Sequence, residues 1–267
     1  MLDPAFLLFV PGDRPERFTK ALDAPGVTGA ILDLEDAVAP DRKAHAREQV
    51  TAFLNAHADL GRVVVRMNPP SEPLGIADLA ALSGARRPAA IMVPKVHDAG
   101  DVARVADALG DTPQIVLIES ARALVHCEQI AAAPHVFALA FGPYDLAAEL
   151  GAASEADALL PHRARMLVAA RAAGRYALDG PAREYGDASI PKRDAEHAVR
   201  LGFDGKLLIH PAQLAPVRAA FAPTAEQVAY ARRIVDASLA GSPAVLDGTM
   251  IDAPVVALAE RVLRRAG

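Results

Sequence analysis

The sequence predicts a (β/α)8 barrel followed by a C-terminal helical extension. Eight short apolar runs, rich in branched residues, recur between the N-terminus and residue 209. Stretches with helical periodicity separate them, as a β-then-α repeat requires. The chain has 267 residues, and such barrels need about 250. An open doubly wound sheet shares this alternation. No Gly-x-Gly-x-x-Gly follows any run, however, so a dinucleotide fold lacks its main positive sign.

The runs span residues 6–10, 30–34, 63–67, 90–93, 115–119, 137–141, 176–178 and 206–209. Between them, residues 98–109 place Val102, Val105, Ala106 and Leu109 on one helical face. Residues 161–174 open with Pro161 and close at Gly174, the usual punctuation of a helix. The barrel domain is assigned to residues 1–222 and the extension to 223–267. Within the extension, Thr224 is the expected N-cap of a helix over 225–239. Gly241, Ser242 and Pro243 break it, a short segment follows over 244–251, and a last helix runs over 254–265. A barrel does not need this tail, which is predicted to cap the mouth or to reach a neighbouring subunit.

The formal charge of −5 and pI near 5.9 argue against a nucleic-acid or membrane-surface partner. The single cysteine, Cys127, cannot form an internal disulfide and is read as a buried, inert thiol in a helix. Residues 1–5 show no secretory pattern, and no apolar run approaches the roughly 20 residues of a membrane span. The expected location is the cytoplasm.

In a parallel α/β protein the C-terminal strand ends face the active site. Glu119 ends the fifth run and Asp145 closely follows the sixth, so two oxygen ligands stand where one hard divalent cation can be shared. Ordinary loop acids are the alternative. After the first run come Asp13, Arg14, Glu16, Arg17 and Lys20. Asp13 with Glu16 suggests a capping arrangement, hence a helix N-terminus for an anionic group, against a solvated helix face. The second run ends in Asp33-Leu34-Glu35-Asp36, where strand alternation would put Asp33 and Glu35 on one face and Asp36 on the other. Arg66 ends the third run, where its fork suits a substrate carboxylate or a salt bridge to Asp33 or Glu35. Lys95 adds a cation at the same rim. The eight histidines show no metal-ligand spacing, and His210-Pro211 reads as a turn. No Gly-x-Ser-x-Gly elbow is present. Acids for a metal beside cations for anions suit stabilisation of an enolate next to a metal-bound α-keto acid.

A set of motifs then appears in order. These are Leu8-Phe-Val-Pro-Gly-x-Arg-Pro-x-x-Phe-x-Lys20, Leu32-Asp-Leu-Glu-Asp-Ala-Val38, Val65-Arg-Met-Asn68 and Met92-Val-Pro-Lys95. Ile118-Glu-Ser-Ala121, Phe141-Gly-x-x-Asp-Leu146, Leu178-Asp-Gly180 and Gly205-Lys-x-x-Ile-His-Pro-x-Gln213 follow. The set resembles the citrate lyase β-subunit and malyl-CoA lyase group of the HpcH/HpaI aldolase superfamily, along essentially the whole chain. The resemblance implies a (β/α)8 barrel, a homotrimer or dimer of trimers, and Mg2+. It implies a carbon–carbon lyase joining or separating an acetyl-type CoA thioester and an α-keto acid such as glyoxylate or oxaloacetate. The 3-hydroxyacyl thioester would be of the malyl-, methylmalyl- or citryl-CoA type. Alternatives are a citrate lyase β-subunit acting on citryl-acyl-carrier protein, and a non-catalytic sensor of keto acids or CoA metabolites.

By motif, the resemblance makes Glu119 and Asp145 the Mg2+ ligands and sets Arg66 on substrate and enolate. Phe9, Arg14 and Lys20 fall where the family contacts coenzyme A. Glu35 and Asp36 correspond to groups that orient metal-bound water and Arg66. Asp252, in Gly248-Thr-Met-Ile-Asp-Ala-Pro254, corresponds to an aspartate that completes a neighbour's active site as acid–base. Ala123 and Pro143-Tyr144 depart from the family pattern beside the expected ligands, which bears on substrate size and loop shape.

Overall fold

Each of the eight predicted runs forms a strand, and all pair in parallel, in sequence order, into a closed barrel. The structure, a computed structural model, describes residues 2–155, 157–239 and 244–266. The strands are β1 (Phe6–Pro11), β2 (Gly29–Asp33), β3 (Val63–Arg66), β4 (Ala90–Val93), β5 (Gln114–Ile118), β6 (Val136–Phe141), β7 (Tyr176–Asp179) and β8 (Gly205–Leu208). Between them lie α1 (Phe18–Leu22), α2 (Lys43–Ala56), α3 (Pro73–Ser83), α4 (Ala99–Leu109), α5 (Ala121–Val125), α6 (Cys127–Ala132), α7 (Pro143–Leu150), α8 (Leu160–Ala172) and α9 (Ser189–Leu201). After β8 come α10 (Leu214–Phe221), α11 (Ala225–Leu239), the strands β9 (Ala244–Leu246) and β10 (Thr249–Ile251), and α12 (Ala253–Arg265).

Helix ends follow the local chemistry. Asp98 caps α4 by accepting the Gly100 N–H at 2.9 Å. Pro161 sits in the first turn of α8, and Gly174 lies just beyond its end with φ of 67°. Thr224 caps α11 as expected, exchanging hydrogen bonds with Gln227 at 2.9 and 3.1 Å. His210 and Gln213 bond reciprocally around the turn after β8. Cys127 is buried at the start of α6.

Alternation along the strands fills the barrel. Leu7, Ile31, Val64, Met92, Ile115, Leu117, Ala138, Ala140, Leu178 and Leu207 belong to one buried interior cluster. The next inward position, one step of two toward the C-terminal end, is Phe9 on β1, Asp33 on β2 and Arg66 on β3. Continued past the strand ends, the same parity reaches Glu119 after Leu117, Gly142 after Ala140 and Gly180 after Leu178. The polar rim is therefore the top layer of the apolar barrel. Lys206 takes the other parity and is fully buried beneath the helices, 2.6 Å from Asp179 and 2.7 Å from Asp194.

Two sequence expectations are corrected, and one segment is defined more closely. Asp13 caps no helix. Pro15–Arg17 form a 3-10 turn with Arg14 at its N-cap, and the five-residue α1 starts only at Phe18. Asp13 instead lies 3.8 Å from Arg14 and 3.5 Å from Arg42, because the proline-led turn intervenes. Strand β2 ends at Asp33, so Glu35 and Asp36 lie in the following loop and strand alternation does not separate them. The segment 244–251 is a β-hairpin. Its turn is Asp247-Gly248, with φ of 51° and 79°, the two-residue geometry that Asp-Gly favours.

The chain divides into two compact units, Met1–Val217 and Arg218–Gly267. The second has its own small core of Ala231, Ile234, Ile251 and Ala259. The expected break at Gly241–Pro243 lies outside the described residues.

Candidate active site

Glu119 stands one residue past β5, 6% exposed. Its Oε1 accepts the backbone N–H of Lys95 at 2.7 Å. Burial, then the charge of Glu35, pushes its carboxyl up to about 8, while the Lys95 N–H pulls the other way. Asp145, in the first turn of α7, is exposed and opens onto the same cleft. That cleft has a volume of about 320 Å³ and is also lined by Lys95, His97, Glu72 and Glu149.

Beside it, Arg66 anchors a buried charge cluster. Its Nε donates to Asp33 Oδ1 at 2.7 Å and its Nη2 to Oδ2 at 2.5 Å, a two-pronged pair. Its Nη1 lies 2.8 Å from Glu35 and 3.7 Å from Asp36. Both salt-bridge partners expected for Arg66 are thus engaged, and Asp36 joins them. Burial opposes the guanidinium charge, but Asp33, Glu35 and Asp36 outweigh it and raise its pKa. The guanidinium lies 4.7 Å from the centroid of Phe9, whose ring covers it. Asp33 also accepts the N–H groups of Glu35 at 2.8 Å and Ala37 at 3.0 Å, which shapes the acidic loop. Lys43 clamps that loop from below, donating to the carbonyls of Leu34 at 2.8 Å and Glu35 at 2.6 Å.

Lys95 joins the two groups. A φ of 50° turns its backbone N–H to Glu119 while its ammonium lies 2.9 Å from Glu35 and 3.6 Å from Asp36. These acids raise its pKa against the opposing effect of burial. Glu35 is 3% exposed, with its own pKa raised by burial. Although two cations lie near it, neither of its oxygens receives an aligned hydrogen bond.

These features fit Mg2+. Every donor at the proposed ligand positions is a carboxylate oxygen, and Mg2+ takes one or two carboxylates while keeping several waters. Those waters would add aligned hydrogen-bond donors to the Arg66 and Lys95 cations already close to Glu35. Gly142 leaves the room: a Cβ there would come within 2.7 Å of Glu119 Oε2. Among the described residues, no group of three or more His, Cys, Asp or Glu side chains forms a metal cluster, which sets this two-carboxylate arrangement apart from a closed structural site.

Arg14 and Lys20 are exposed along the loop and short helix after β1. Asp252 is exposed in the second unit and caps α12, accepting the Val255 N–H at 3.2 Å. Gly142, the Lys95 backbone and Lys43 were missed by sequence reasoning. A glycine in the inward parity of β6 was the available signal for the first; Lys43 offered none.

A closed parallel barrel with acids and paired cations in its uppermost inward layer defines a class of metal-assisted enzymes acting on anionic substrates. The profile of the HpcH/HpaI aldolase/citrate lyase family matches residues 5–211, and the chain belongs to that family. It is 39% identical over 268 residues to a citrate lyase subunit beta-like protein of Mycobacterium tuberculosis, covering 97% of this chain and 94% of the relative. It is 35% identical over 269 residues to a (3S)-malyl-CoA thioesterase of Cereibacter sphaeroides, covering 97% and 93%. The crystal structure of CitE from Mycobacterium tuberculosis in complex with magnesium, acetoacetate and coenzyme A matches with a TM-score of 0.88. That match has 37% identity and covers 100% of both chains.

Proposed function

We propose that this protein is a Mg2+-dependent carbon–carbon lyase acting on 3-hydroxyacyl-CoA thioesters of the malyl, methylmalyl or citryl type. The observation that supports this most is the meeting of Glu119 and Asp145 in one cleft at the C-terminal barrel end, with Arg66 in the adjoining inward layer. Glu119 and Asp145 would hold the cation, which when bound supplies a Lewis acid for the oxygens of the keto-acid half.

The chain's own groups do the rest. The positive end of α7 begins at the cleft and favours a carboxylate there. Cleavage releases the carbinol hydroxyl proton to water and turns that C–O bond into the keto acid's carbonyl. It breaks the bond between the carbinol carbon and the thioester α-carbon, whose electron pair becomes the enolate. Arg66 is already fixed by Asp33, so it offers charge to that enolate without reorganising. Phe9, Arg14 and Lys20 serve the CoA half, and Glu35 and Asp36 orient Arg66 and water. Asp252 of a neighbouring copy would protonate the enolate in a homotrimeric assembly, located in the cytoplasm.

The test is a cleavage assay on malyl-, methylmalyl- and citryl-CoA that follows keto acid and free thiol separately. Mg2+-dependent keto-acid release without matching thiol release is expected. Thiol release without an acyl-CoA product would mean thioester hydrolysis instead, and turnover that survives exhaustive chelation would remove the metal from the reaction.

A further inference from the structure

The cleft that holds Glu119 and Asp145 has a second pair of carboxylates, Glu72 and Glu149. One divalent cation balances Glu119 and Asp145, so the second pair keeps its charge. Neither Glu72 nor Glu149 has an ion-pair partner among the described residues. Lys95, the lysine of the lining, is committed to Glu35 at 2.9 Å and Asp36 at 3.6 Å. Apart from the ionisable ring of His97, no further cationic side chain lines the space.

Glu149 is held through its side chain and Glu72 through its backbone, and both are exposed at the cleft. The N–H of Glu72 donates to the Pro69 carbonyl at 3.0 Å, immediately before α3. Gly75 packs so closely on Pro69 that a Cβ would collide with the backbone, which fixes the start of α3. Asp78 ties the same loop from behind, accepting the Asn68 N–H at 2.8 Å, its Nδ2 at 2.7 Å and Arg47 Nε at 2.7 Å. On the other wall, Glu149 Oε2 accepts the Ala121 N–H at 3.1 Å. Two like charges lining one cleft raise the cost of a further negative charge there, and Glu149, pinned by the Ala121 N–H, cannot turn away from it freely.

We propose that Glu72 and Glu149 select the keto-acid half of the substrate, admitting α-keto monocarboxylates and rejecting α-keto dicarboxylates. This rests on the metal and keto-acid reading above and narrows its substrates to the malyl and methylmalyl types, because citryl cleavage would release the dicarboxylate oxaloacetate. The first carboxylate of the ligand meets the cation and the positive end of α7. A second one would enter a cleft of about 320 Å³ whose lining includes Glu72 and Glu149, neither with an ion-pair partner among the described residues.

Calorimetric titration of the Mg2+-loaded protein with 2-oxobutyrate and freshly dissolved oxaloacetate tests this, since the two differ by a methyl against a carboxylate of similar size. At low salt 2-oxobutyrate should bind at least about tenfold more tightly, with the gap narrowing as salt rises. Glu72→Gln and Glu149→Gln should each shift the affinity ratio toward oxaloacetate, by roughly three- to tenfold. Equal or tighter binding of oxaloacetate to the wild type, or a ratio unmoved in both variants, overturns the selectivity and leaves the keto-acid reading standing. Mg2+-dependent binding of neither acid overturns both.

Discussion

Gly142 and Glu119 occupy one space: a Cβ on the glycine would lie 2.7 Å from Oε2 of the glutamate and closer still to its Cβ. The glycine has φ of −101°, so alanine is acceptable to the backbone there and the conflict is one of volume alone. Gly142→Ala should therefore fold, yet displace the Glu119 carboxylate. Overpacking costs about 1–3 kcal/mol, which corresponds to roughly a 5- to 150-fold loss of Mg2+ affinity. Calorimetric Mg2+ titration with circular dichroism as the folding control checks it, and unchanged affinity would remove Gly142 from the site.

The carboxyl of Glu119, pushed up to about 8 by burial and then by Glu35, sets a pH dependence. At neutral pH the metal-free folded chain keeps a proton there that the unfolded chain, at the ordinary 4.5, has lost. The folded state thus binds more protons, and this contribution to stability is lost as pH rises from 4.5 through 8. Cation binding must expel that proton, so Mg2+ affinity should climb with pH until about 8 and then level. Titrations at pH 7 in buffers of different ionisation enthalpy should reveal proton release, and Glu119→Gln should abolish it. Binding without proton release in the wild type would contradict this account.

The Arg66–Asp33 fork predicts that lysine is a poor replacement. An ammonium cannot reproduce two parallel bonds to Asp33 and still reach Glu35. Loss of one preorganised donor to a developing oxyanion costs about 10²–10³ in turnover. Arg66→Lys should fall in that range in the malyl-CoA cleavage assay, with its loss chiefly in kcat. Near-normal turnover would show that point charge suffices.

For Asp252 the prediction is complementation. An Arg66→Ala chain and an Asp252→Ala chain should each lose about 10²–10⁴ in rate. Unfolded and reassembled together, they should regain activity, because some sites would pair an intact Arg66 with an intact Asp252 from another copy. Mixed oligomers of confirmed composition that remain as slow as their parents would confine Asp252 to its observed task, capping α12.

Most of the barrel was legible because its cause is local. Strand residues alternate between barrel interior and helix layer, so the pattern of apolar runs marks the eight strands, while their closure in sequence order is seen only in the pairing. Glu119 and Arg66 were found for the same reason, as polar residues ending apolar runs. The loop after β1 was misread because Asp13 and Glu16 have capping spacing, whereas Pro15 starts a 3-10 turn that takes the helix position. The hairpin turn was marked by Asp247-Gly248, but its three-residue strands are too short for a periodic signal.

By itself, the sequence determined the eight strands, their ends and the chemical types gathered there. Tertiary structure decided what each group does with its neighbours. Asp33 and Arg66 are 33 positions apart in sequence, and parallel pairing of β2 with β3 brings them into register. Lys95 reaches Glu119 through its backbone and Glu35 through its side chain, a double role that no residue type announces. Gly142 matters only because the preceding strand, β5, aims Glu119 at it. Alternation and propensity are local and can be read along the chain; partnership in a low-dielectric rim depends on which strands close against each other.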